Sequence, residues 1–127
     1  LCSDFELIRP NIGVNLTITG EPQRIPDELA VTIYRISQEA LNNVAQHSDA
    51  DSVSVKVKAD NSGVSLEVND DGIGLADSKP ARRGLGLITI RERTETLGGT
   101  YKLDCRTGEG CKIIVKWPAE AVDSLLR

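Results

Sequence analysis

Ser52-Val53-Ser54-Val55-Lys56-Val57-Lys58-Ala59 alternates without a break between polar and apolar side chains, and so does Val64-Ser65-Leu66-Glu67-Val68-Asn69. Between them Asp60-Asn61-Ser62-Gly63 supplies turn chemistry. Successive side chains of a strand point to opposite faces, so the two runs predict a hairpin with one apolar and one wet face. Helices can cover only the apolar face of such a sheet. The fold class that follows is α/β: a two-layer sandwich, its sheet mixed and mostly antiparallel, its helices on one face. A doubly wound sheet, buried on both sides, does not fit.

Outward from this hairpin the pattern continues in both directions. Residues 75–83 are polar and proline-containing and read as a loop. Over residues 85–97, Leu87, Ile90, Thr94 and Leu97 keep helical spacing until Gly98-Gly99 stops the helix. Residues 100–106 and 112–117 flank Gly108-Glu109-Gly110 as a second hairpin, Pro118 ends it, and residues 119–127 are left as a tail. On the other side, Asp27 stands where an N-cap belongs, and Leu29, Ile33, Ile36, Ala40 and Val44 predict a helix up to His47. Residues 13–19 alternate as a strand, Gly20, Pro22 and Pro26 mark a turn, and residues 1–12 read as a linker or a helix from a preceding region.

The 127 residues suit one domain. The chain starts at Leu1 and contains no methionine, which predicts a piece cut from something longer. Fifteen Lys and Arg against nineteen Asp and Glu leave a net charge of −4 with the basic residues scattered, against a nucleic-acid footprint. Aromatic residues are 3%, too few for base-stacking platforms. No run approaches the roughly 18 apolar residues of a membrane span, and no leader opens the chain, so the piece reads as soluble. Cys2, Cys105 and Cys111 lack CxxC spacing, and His47 is the single histidine, a poor set for zinc. Free thiols in a reducing compartment are the simpler reading, with Cys105 and Cys111 unbridged on neighbouring strands.

Three polar features remain. Arg35, Glu39, Asn43 and His47 follow one another at intervals of four, a ridge along the first long helix bordering its apolar stripe. Carboxylate, amide and imidazole so stacked could hold a hydrated magnesium ion. The helix alone favours an ordinary solvated edge with an Arg35–Glu39 pair. Asp70-Asp71-Gly72-Ile73-Gly74 follows a strand, where two alternate glycines let backbone approach a flat ligand and an aspartate can accept from an exocyclic amine. The adjacent carboxylates point to opposite faces and are no acid/base pair; a type I′ turn explains the same residues equally well. Arg82-Arg83-Gly84-Leu85-Gly86-Leu87 is a basic, glycine-rich helix entry suited to phosphate oxygens, neither a Rossmann fingerprint nor a P-loop.

Together and in this order, the Glu39-x-x-x-Asn43 helix, Asp70-x-Gly72-x-Gly74 after a strand, the short polar loop, Gly84-Leu85-Gly86-Leu87 and the Gly108-x-Gly110 hairpin resemble the ATP-binding domain of bacterial sensor histidine kinases. That fold is shared with DNA gyrase B, Hsp90 and MutL. The match spans residues 26–118. The runs Ser37-Gln38-Glu39-Ala40-Leu41-Asn42-Asn43 and Gly84 to Gly99, with the short lid at 75–83, look most like the nitrate/nitrite-sensor subclass.

The resemblance implies ATP and Mg2+ as cofactors. It gives Asn43 to magnesium, Glu39 to activation of the attacking histidine or its water, and His47 to the vicinity of the phosphates. Asp70 would accept from the adenine amine in a pocket shaped by Gly72 and Gly74. Gly84 and Gly86, in the run with Leu85 and Leu87, would let the lid and helix close on the triphosphate, with Lys79, Arg82 or Arg83 as charge partners. Cys111 stands where the family usually has threonine, and a thiol is a weak hydrogen-bond partner for a water bridge to Asp70. The implied activity is delivery of the γ-phosphoryl of Mg-ATP to a histidine on a separate dimerisation domain absent from this chain. The implied partners are that domain and a response regulator with helix-turn-helix output. The implied parent is a homodimer, this part of it a cytoplasmic domain and the whole of a kind that can sit in the inner membrane. An anti-sigma-type serine kinase and a degenerate nucleotide-sensing module are the alternatives.

Overall fold

The computed structural model describes residues 13–47, 52–71, 80–106 and 110–126, with side chains described for all of these except 43–47, 80–87 and 105–106. The chain runs β1 (Gly13–Gly20), a 3-10 turn (Pro22–Arg24), α1 (Asp27–His47), β2 (Ser52–Asp60), β3 (Gly63–Asp70), α2 (Pro80–Thr96), β4 (Thr100–Arg106), β5 (Gly110–Pro118) and α3 (Ala119–Leu125). The strands form one sheet in the order β1-β2-β3-β5-β4. Edge strand β1 runs parallel to β2, and every other pair is antiparallel. This is the expected mixed, mostly antiparallel sheet.

Alternation sets the two faces. Val53, Val55, Val57 and Ala59 of β2, Val64, Leu66 and Val68 of β3, and Ile113, Val115 and Trp117 of β5 are buried against Leu29, Ile33, Ile36, Ala40 and Leu41 of α1, Ile90 of α2 and Val122 of α3. Each large apolar side chain so buried stabilises the fold by about 1.5–3 kcal/mol relative to exposure. The residues between them, among them Lys56, Lys58, Glu67 and Lys116, occupy the face turned away from the helices.

The turns carry the signals read from sequence. In the β2–β3 turn the Asp60 carboxylate accepts from the Ser62 backbone N–H at 2.9 Å and hydroxyl at 2.6 Å. Those two bonds, the hydroxyl first, hold the Asp60 pKa below its ordinary 3.8. At the end of α2, Gly98 takes a left-handed φ of 82°, its N–H donating to the Glu95 carbonyl at 3.0 Å while the Gly99 N–H donates to Thr94 at 3.0 Å. This pair of bonds is the Schellman arrangement, and it terminates the helix where the glycine pair predicted.

Four local expectations are corrected. The first α1 hydrogen bond runs from Ala30 N–H to the Pro26 carbonyl at 2.9 Å, so Pro26 holds the cap position and Asp27 is the first helical residue, acting on the dipole. Helix α2 starts at Pro80, five residues before Leu85, because proline's fixed φ suits a first helical position; Gly84 and Gly86 therefore lie inside the helix. The tail contains α3, which buries Val122. Cys111 is disulfide-bonded rather than a free thiol; the β4–β5 register sets Cys105 directly opposite it, at the close cross-strand spacing of an antiparallel pair.

Candidate functional site

Four segments converge on one end of the molecule. Residues 48–51 alone separate α1 from β2, so the last turn of α1 lies within about 18 Å of Ser52. Val53 at the start of β2 pairs with Asp70 at the end of β3. Asn69 pairs with Lys112, which brings Cys111 at the start of β5 beside Asp70. On the helix side, Glu28 and Thr32 of the early turns of α1 share a groove with Thr89, Glu92, Arg93 and Thr96 of the later turns of α2. The early turns of α1 thus lie beside the later turns of α2.

The paired aspartates divide as strand geometry requires. Asp70 is only 6% exposed and sits on the helix side of the sheet. Asp71 is exposed; its carboxylate accepts from the Ser52 backbone N–H and from the Ser52 hydroxyl, both at 3.0 Å, while the Asp71 N–H donates to the Ser52 carbonyl at 3.3 Å. Asp71 pins the end of β3 to the start of β2 and so fixes where Asp70 stands. Its clamping role was not read from sequence; a serine opening the strand antiparallel to an aspartate pair is the signal that carried it.

Glu39 is half-buried on α1. The ion pair expected between Arg35 and Glu39 does not form among the described residues, where the helix-borne pairs are instead such as Arg91–Glu95 at 2.9 Å. Gly72, Gly74 and Lys79 lie outside the described residues, and the side chains of Asn43, His47, Arg82, Arg83, Leu85 and Leu87 are outside the description of their helices. Cys111 is 4% exposed, and its bonded sulfur has no proton to donate.

Chemically, the arrangement offers a buried acceptor at a strand end and a half-buried carboxylate on an adjoining helix. Among the described residues no group of three His, Cys, Asp or Glu could hold a metal ion.

Comparison with known proteins agrees with this geometry. Residues 28–121 match the family described as histidine kinase-, DNA gyrase B- and HSP90-like ATPase. The chain is 34% identical over 102 residues to the signal transduction histidine-protein kinase/phosphatase DegS of Bacillus subtilis, covering 77% of this chain and 26% of that protein. It is 31% identical over 119 residues to the oxygen sensor histidine kinase NreB of Staphylococcus carnosus, covering 91% of this chain and 34% of that protein. The chain thus spans a quarter to a third of the length of these curated relatives. Among solved structures, the histidine kinase domain of the Erythrobacter litoralis EL346 blue-light activated histidine kinase superposes with a TM-score of 0.72 at 25% identity, covering 97% of this chain and 59% of that one. The ATP binding domain of PrrB from Mycobacterium tuberculosis, at 23% identity and a TM-score of 0.65 over 91% of this chain and 86% of that one, shares the fold. Fold, motif order and family match coincide: the chain belongs to the histidine kinase-, DNA gyrase B- and HSP90-like ATPase family.

Proposed function

We propose that this chain is the ATP-binding catalytic domain of a sensor histidine kinase and that it supplies the γ-phosphoryl of Mg-ATP to a histidine on a separate dimerisation domain. The observation that carries the reading is the division of labour at the end of β3: Asp70 is buried and faces the helices, and Asp71 is spent on holding the strand end. A buried carboxylate at a strand end can accept from a ligand amine, and a contact of that kind discriminates against a ligand that lacks the amine. Adenine supplies that amine.

In this reading Asn43 is the chain's one donor to magnesium, with His47, Lys79, Arg83 and the Gly84-Leu85-Gly86-Leu87 turns near the phosphates. Glu39, free of Arg35, is available to take the proton of the attacking group. Bound magnesium would supply charge neutralisation along the polyphosphate. Because phosphoryl transfer is chiefly positioning and charge stabilisation, a chain without the acceptor domain binds nucleotide and turns over little. The likeness to NreB supports the nitrate/nitrite-sensor-like subclass, and with it a helix-turn-helix response regulator as downstream partner and a dimeric parent. No described helix is long and apolar enough to cross a membrane; a cytoplasmic position for this domain is part of the proposal.

Binding of a fluorescent ATP analogue with and without Mg2+ tests it. Asp70→Asn should weaken binding by about tenfold or more, the loss of one hydrogen bond to a charged group, and Asn43→Asp should alter its magnesium dependence. Unchanged affinity in both variants would sink the assignment.

A further inference from the structure

The sheet face turned away from the helices carries a second candidate site, at the other end of β3 from Asp70. Register aligns Lys58 with Ser65, Ser65 with Lys116, and Lys116 with Thr100, one row across four strands. Neighbouring strands lie about 4.8 Å apart, so the two lysines stand about 10 Å apart at the backbone with Ser65 between them. Together with Asp60 and Ser62 they line an open hollow of about 440 Å3, within the usual range for small-molecule sites.

The charge there is not consumed by the fold. Lys116 is exposed and makes no ion pair among the described residues. Lys58 lies 3.6 Å from an oxygen of Asp60, but that pair is exposed and the Asp60 carboxylate is already bonded twice by Ser62, so its hold on Lys58 is weak. In a chain of net charge −4, two ammonium groups flank the Ser65 hydroxyl, Thr100 follows beyond Lys116, and the single Asp60 carboxylate of the lining leaves a local positive excess, which concentrates small anions. Compact ammonium charges with hydroxyl donors beside them match a tetrahedral oxyanion, whereas a planar carboxylate is better met by an arginine fork.

We propose that this hollow binds a phosphate-bearing small anion between Lys58 and Lys116, with the Ser65 and Thr100 hydroxyls donating to its oxygens. The site is separate from the nucleotide site: Ser65 and Asp70 are five residues apart on β3, about 17 Å, and their side chains lie on opposite faces. The proposal does not depend on the kinase reading.

Inorganic pyrophosphate titrated into the 127-residue chain, followed by backbone amide NMR shifts, tests it. Saturable shifts at Ser65, Thr100 and Lys116 are expected, and Lys116→Glu should weaken them about tenfold or more while leaving the ATP-analogue affinity unchanged. Lys116→Gln, which cannot repel its neighbours, should give a smaller loss in the same direction and serves if the charge reversal disturbs folding. A phosphoserine peptide competing better than pyrophosphate assigns the site to a phosphorylated side chain, and the opposite order to a free phosphate compound; both keep the chemistry. Shifts confined to other amides, an affinity indifferent to both Lys116 variants, or the same curve from sodium sulfate at matched ionic strength overturns it. A wild-type chain that binds no ATP analogue counts against the kinase reading alone.

Discussion

At the scale of single residues, Tyr101 is the side chain whose surroundings fit it least. It packs against the core from β4, and its hydroxyl is buried with no hydrogen-bond partner among the described residues. Burial raises its pKa above the ordinary 10.0, against a smaller opposing effect of the Arg91 charge. The raised value means that the folded chain keeps the phenol proton to higher pH than the unfolded chain. The associated stability is therefore complete below pH 10 and is lost as pH rises through the native pKa. Tyr101→Phe removes both the unmet hydroxyl and this slope. It should leave the unfolding free energy at pH 7 unchanged or raised, by up to about 1 kcal/mol, and its advantage over the wild type should widen above pH 10. Melting curves from pH 7 to 11 check this, and a variant that parallels the wild type across the range counts against it. The two aspartates before Gly72 show what sequence does and does not carry at this scale. Strand alternation alone sends Asp70 and Asp71 to opposite faces. That Asp71 closes on Ser52 depends on a register between segments 19 residues apart, which periodicity within one strand does not specify.

At the scale of elements, the legible parts were those whose signal is local and repeated. Helix α1 is readable to its last residue because its apolar positions recur over more than four turns, and the β2–β3 hairpin because alternation and turn chemistry agree. The start of α2 was misplaced because glycines at 84 and 86 argue against helix locally, while Pro80 favours a start that only its context makes usable. Helix α3 was missed because seven residues give too little periodicity to stand out, and its place is set by packing Val122 into the core. Its burial predicts that Val122→Ala costs about 1–2 kcal/mol, readable as a lower urea midpoint with unchanged slope; a loss under about 0.3 kcal/mol would mean that α3 is not docked. The end of α2 yields a sharper prediction. Trp117 is 1% exposed, and its indole N–H donates to the Thr94 carbonyl at 3.3 Å, the same carbonyl that accepts from Gly99. A Cβ at position 99 would stand 2.6 Å from the indole Nε1. Gly99→Ala must displace the ring of the chain's one tryptophan, so it should destabilise by about 1–3 kcal/mol and shift the tryptophan emission. Gly98→Ala instead meets the Ala121 methyl at a tight 3.2 Å and carries the left-handed φ, so it destabilises without touching the indole and should leave the emission unmoved.

At the scale of the whole molecule, the candidate site draws on segments far apart in sequence: the last turns of α1, the start of β2, the end of β3 and the start of β5. The sequence could name Glu39, Asn43 and Asp70 because each sits in a short motif with its own chemistry. It could not show how the strand ends that carry the site are brought together, since that follows from β3 lying between β2 and β5. A site built across so many elements couples ligand binding to global stability, because a ligand held by all of them is lost only when the packing that aligns them is lost. An ATP analogue with Mg2+ at about a hundred times its dissociation constant should add about 2.7 kcal/mol to the unfolding free energy. For a domain of this size that is a rise of roughly 10 °C in melting temperature. Asp70→Asn should lower its own unliganded melting temperature little, yet forfeit much of the ligand-induced rise at the same concentrations. Asp71→Ala should lower the unliganded value and reduce the rise, since it frees the strand end that carries Asp70. Equal ligand-induced shifts in wild type, Asp70→Asn and Asp71→Ala would show that the nucleotide is held elsewhere than at this end of the sheet.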